Sequence, residues 1–85
     1  MSHLDLALDT ALTYHQLVFS GRPLSGLEHL TAAALAAAVG DHYHQLAESA
    51  TEVATSDMWA IAARKAYDTA ARHELDAEFL EVLLP

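Results

Sequence analysis

Six histidines and no cysteine set the chemistry open to this 85-residue chain. Imidazole can ligate a metal or carry a proton near neutral pH, whereas disulfides, thiolate ligands and cysteine nucleophiles are excluded. His15 falls angularly between Leu4 and Leu8 on the main apolar stripe of its helix, so the spacing predicts a ring facing the core or a cavity. There burial disfavours the charged form, and the ring requires a hydrogen-bond partner. Tyr14, Tyr43 and Tyr67 are available for that role, and a structural histidine is the plainer expectation. The sharper alternative is a small-ligand- or metal-binding helical bundle centred on His15, with Tyr14 and His73 lining its pocket.

The other histidines are poorly spaced for chelation. His42 and His44 are two residues apart, which on a helix points them about 200° from one another. His44 with Glu48 is a better pair at i, i+4, and His73 with Glu74 adds a neighbourhood, but solvated helix-face pairing explains both. The Glu-x-x-His motif of di-iron bundles does not occur. No metal site and no cofactor are therefore expected. No serine sits in a nucleophile elbow, and Glu48 and Glu52 share a solvent-facing strip rather than a cleft that would perturb a carboxyl pKa. The chain is not expected to be an enzyme.

Charge narrows the partners. Twelve acidic against four basic residues give a net charge of −8, which repels a phosphate backbone and argues against direct nucleic-acid binding. Full protonation of the six histidines would move that charge from −8 to −2, close enough to neutrality to favour association. The opening MSHLDLALD carries acids where a secretory signal needs a basic region, and no apolar run approaches the ~18–20 residues of a membrane span. A cytoplasmic protein that does not engage a membrane is the expectation.

These side chains must be positioned by helices, because helical periodicity recurs and strand-like alternation does not. The predicted fold is all-α, a single helical domain over 1–85. It is a compact bundle of four main helices plus a short C-terminal helix, with Ala-rich close helix packing. The first helix is expected over His3–Ser20, with Ser2 as N-cap and Gly21 at its stop. Ser25 and Glu28 form a capping box that opens a second helix ending at Gly40. Asp41 caps a third, His42–Ala54, and Thr55-Ser56-Asp57 caps a fourth, Met58–His73, unless the two are continuous. Asp76 then caps a short final helix to Leu84, with Leu75 and Leu80 as its hydrophobic staple. Two helical hairpins invite comparison with a tetratricopeptide repeat, but Ala62, Ala63 and Ala66 stand where that repeat has Leu, Gly and Tyr.

The apolar share of 53% is rich in alanine, whose methyl removes little area from water, so a small core extended by self-association is expected. The first helix carries a main stripe of Leu4, Leu8, Ala11, Leu12, Val18 and Phe19. A second runs on its opposite flank through Leu6, Thr10, Thr13 and Leu17. The fourth sets Met58 and Ile61 on the strip that bears Arg64, Lys65, Asp68 and Arg72, an apolar anchor framed by arginine, while Trp59 falls on the alanine face. Together they predict a small acidic protein-interaction module of adaptor, chaperone or inhibitor type, expected to be a homodimer, that binds another protein through Leu6, Leu17, Met58, Ile61, Arg64, Lys65 and Arg72.

Overall fold

Alanine contacts bring three helices together. A computed structural model describes residues 2–83, with side chains through residue 81: α1 (His3–Val18), α2 (Gly26–Ser49) and α3 (Val53–Leu83). No strand occurs among the described residues, so the all-α expectation holds, with three helices in place of four and a short tail. The capping box expected at Ser25 forms, and Ser2, expected as an N-cap, makes a second box with Asp5. The Ser2 hydroxyl accepts from the Asp5 amide at 3.2 Å and the Ser25 hydroxyl from the Glu28 amide at 3.2 Å, while each carboxylate reaches back to its cap. Arg22 grips Glu28 in a fork, which with the cap hydrogen bond holds that carboxyl down at about 2. α1 ends two residues before the expected Ser20, and Gly21 makes the left-handed turn that follows, at φ 84°.

Three expected helix ends are absent, each for a visible reason. α2 runs straight through Gly40 and Asp41. The glycine there serves a close approach: a Cβ would lie 2.7 Å from the Tyr67 ring of α3, whose hydroxyl donates to Asp41 at 2.6 Å. The break between α2 and α3 falls at residues 50–52, where Ala50 turns extended, and Thr55-Ser56-Asp57 lies inside the first turns of α3. Ser56 does not cap; its hydroxyl donates to the Ala47 carbonyl at the end of α2, at 2.9 Å, beside the Ala50 amide that also donates there. Asp76 starts no new helix either. α3 passes through it, and Leu75 stands 63% exposed, so no staple forms with Leu80.

α2 lies centrally and touches both neighbours, while the backbones of α1 and α3 do not approach each other within 8 Å. The result is an open three-helix rod of 52 × 21 × 16 Å, with a radius of gyration of 14.4 Å against about 12 Å for a compact chain of this length. Among the described residues the buried apolar ones are Val39 and eight alanines, including Ala7, Ala32, Ala36, Ala63 and Ala70. Among the described residues no large side chain is fully buried. None of the described helices is long and apolar enough to cross a membrane.

Small contact residues also decide how α1 is rotated. Ala7 and Ala11 form the line of approach to α2, flanked by half-buried Leu6, Thr10, Tyr14, Leu17 and Val18. The stripe expected to face inward is therefore turned largely outward: Leu4 is 40%, Leu8 and Leu12 58% and Phe19 72% exposed. A leucine on the contact line would hold the helices apart; alanine lets them close.

Gly40→Leu is expected to destabilise the chain by about 1–3 kcal/mol through overpacking against Tyr67. Gly40→Ala should lie near neutral, because a helix-propensity gain of about 1 kcal/mol offsets displacement of the half-exposed ring. Urea unfolding followed by circular dichroism measures both.

Candidate functional site

One polar chain links all three helices. The Tyr14 hydroxyl of α1 lies 2.7 Å from Nε2 of His73 on α3, and Nδ1 of His73 lies 2.9 Å from Nδ1 of His29 on α2. A consistent proton assignment has Tyr14 donating to Nε2 of His73 and His73 donating through Nδ1 to His29. His73 is only 9% exposed and sits one turn from Ala70 and Ala77, in the same seam as the alanine core. Tyr14 packs against the Ala33, Ala36 and Ala70 cluster, so the network rests directly on the closest helix contacts. Burial raises the Tyr14 pKa. Burial, reinforced by His29 and opposed by Asp76, lowers that of His73. Tyr67, held by Asp41, is pushed up to about 12 on the far side of the α2–α3 contact.

His15 is not at the centre of this chain. Its ring is exposed, meets Tyr14 edge-on at 5.7 Å and stacks on Phe19 at 5.2 Å, because α1 is rotated away from the expected orientation. It borders a shallow cleft of about 170 Å³ between α1 and α3, walled by Ala11 and Thr69 and floored by Ala36 and Tyr43. Of the pocket residues anticipated around His15, Tyr14 and His73 meet, while His15 stands aside. His29 and Asp76 complete the cluster instead. His29 leaves a periodic trace in the sequence, since it shares the α2 face of Ala33, Ala36 and Gly40. Asp76 leaves none, because an acid near a chain end reads equally well as a cap.

No family model, curated protein or solved structure matches this chain. Its surface therefore has to be read from its own residues.

The anticipated interface residues divide. Leu6 and Leu17 are half-buried against α2, so part of their surface is already used. Met58 at 53% and Ile61 at 59% stand exposed, with Ile61 beside Asp57 and Arg64. Lys65 and Arg72 share an exposed surface with Asp68 and Thr69, and Thr69 also borders the α1–α3 cleft. Among the described residues the ion pairs within 4.0 Å are Arg22–Glu28 and His44–Glu48, so Asp68 pairs with neither Arg64 nor Arg72 at i, i+4. Leu4, Leu8, Leu12 and Phe19, none of them among the anticipated interface residues, stand exposed on the outer side of α1.

The His73 environment generates a pH dependence. Tyr14, His29 and Asp76 face this ring, and its folded pKa lies below the ordinary 6.5. Between those values the unfolded chain binds more protons, so stability falls as pH drops through about 6.5. The urea midpoint, measured with chelator present, should decrease from about pH 7.5 to 5.5. His73→Gln should flatten that decrease.

Proposed function

We propose that this chain is a small helical protein-interaction module whose working surface is the outer face of α1, and that its first occupant is the same face of a second copy. The carrying observation is the run Leu4, Leu8, Leu12, Phe19, four large apolar side chains on one helix face, each 40–72% exposed, over a core that contains almost nothing larger than alanine. Scattered exposed leucines need no explanation; three on one face of α1, joined at its C-cap by Phe19 on which exposed His15 stacks, do.

Area supports a second copy. The chain exposes 5826 Å², about 900 Å² more than the ~4,900 Å² of a compact monomer of 9.2 kDa. That excess matches the ~800 Å² that one partner contributes to a standard interface. Covering the four side chains on both copies yields on the order of 10 kcal/mol, and an association cost of about 4 kcal/mol leaves about 6 kcal/mol, a dissociation constant in the tens of micromolar. Adaptor, chaperone and inhibitor roles all suit such a surface, with a heterologous helix replacing the second copy.

Light scattering coupled to size exclusion tests this over ~5–500 μM, a range that brackets the expected affinity. Wild-type mass should rise toward twice 9.2 kDa, and added salt should favour the rise by screening the −8 charge on each copy. The Leu8→Asp/Leu12→Asp double variant should keep its helicity and remain monomeric. A wild-type chain that stays monomeric throughout, or a double variant that associates equally well, would overturn the reading.

A further inference from the structure

His29, His73 and Asp76 converge on one point from two helices. Each offers a ligand atom, and the three atoms lie within 4.8 Å of one another. His73 and Asp76 are at i, i+3 on one face of α3, and His29 meets them from α2. The 2.9 Å between the two Nδ1 atoms is informative. Two nitrogens each ~2.05 Å from one ion and at right angles to each other are ~2.9 Å apart. A tetrahedral angle needs ~3.3 Å, which a small ring rotation supplies. Without an ion, one Nδ1–H must donate to the other Nδ1; an ion would replace that proton.

The surroundings supply what a bound ion requires beyond its ligands. Tyr14, 2.7 Å from Nε2 of His73, can accept the Nε2–H and so leave the Nδ1 lone pair free, the outer hydrogen bond that orients a ligating imidazole. Burial favours the neutral ring, the form that binds metal. Asp76 is exposed and brings negative charge. A cleft of about 400 Å³ bordered by His29, Asp76, Pro23 and Phe79 opens beside the three residues and gives the remaining coordination positions access to water or a small anion.

We propose that His29, His73 and Asp76 form a binding site for a first-row divalent transition-metal ion, held through two imidazole Nδ1 atoms and one carboxylate, with its open positions facing that cleft.

Zinc chloride titrated into chelator-treated, untagged protein tests this by calorimetry and thermal unfolding. One ion per chain should bind and raise the melting temperature. His29→Gln and Asp76→Asn, both outside the alanine core, should each weaken binding at least about tenfold, and Tyr14→Phe about 10–100-fold as an outer-shell loss. His42→Gln controls for the separate His3–His42 contact, where the Nδ1 atoms are 3.4 Å apart, and should leave binding intact. Absence of binding by folded wild-type protein, unchanged binding in His29→Gln or Asp76→Asn, or loss in His42→Gln would each overturn the assignment.

Discussion

The distance between helices, set by methyl groups, governs the rest of this molecule. With alanines and a glycine along the α2 seams, backbones close on one another until no room remains for a leucine between them. Every large apolar side chain must then lie at the margin of a contact or beyond it. Exposure of Leu8, Leu12, Ile61 and Phe79 and burial of Ala32 and Ala63 are two sides of the same geometry. Tight contact gives these helices many small dispersion gains but little area removed from water.

The same geometry concentrates polar chemistry in one place. Side chains long enough to cross the seam are rare here, and where Tyr14, His73 and His29 do so they find one another instead of solvent. Their hydrogen bonds tie α1 to α3, whose backbones do not meet, so the polar chain contributes a link that alanine packing cannot. The outer α1 face and this histidine cluster belong to different levels of organisation. One is exposed apolar surface outside the helix contacts, and the other a polar cluster within their seam.

How much of this was legible depended on whether a signal was local. The Ser2 cap and the Ser25 capping box act within four residues and were readable directly. The helix ends assigned to Gly40 and Asp76 were not, because both residues answer to partners far away in sequence: Tyr67 for the glycine, and the His29–His73 pair for the acid. Periodicity identified two apolar flanks on α1 but ranked them by size, while close packing ranked them by smallness, which exchanged inside for outside. Of the candidate site, Tyr14 and His73 were singled out correctly as neighbours. Their third member, His29, needed the register of α2 against α3, which no spacing within one helix reveals.

An interior of alanine also changes where motional freedom resides. Alanine has no rotamers to surrender, so assembling this core restricts the backbone and little else. The leucines, phenylalanines and methionine on the outside keep their torsional freedom in the isolated chain. Any surface that covered them, as proposed for the outer face of α1, would take on that ordering cost.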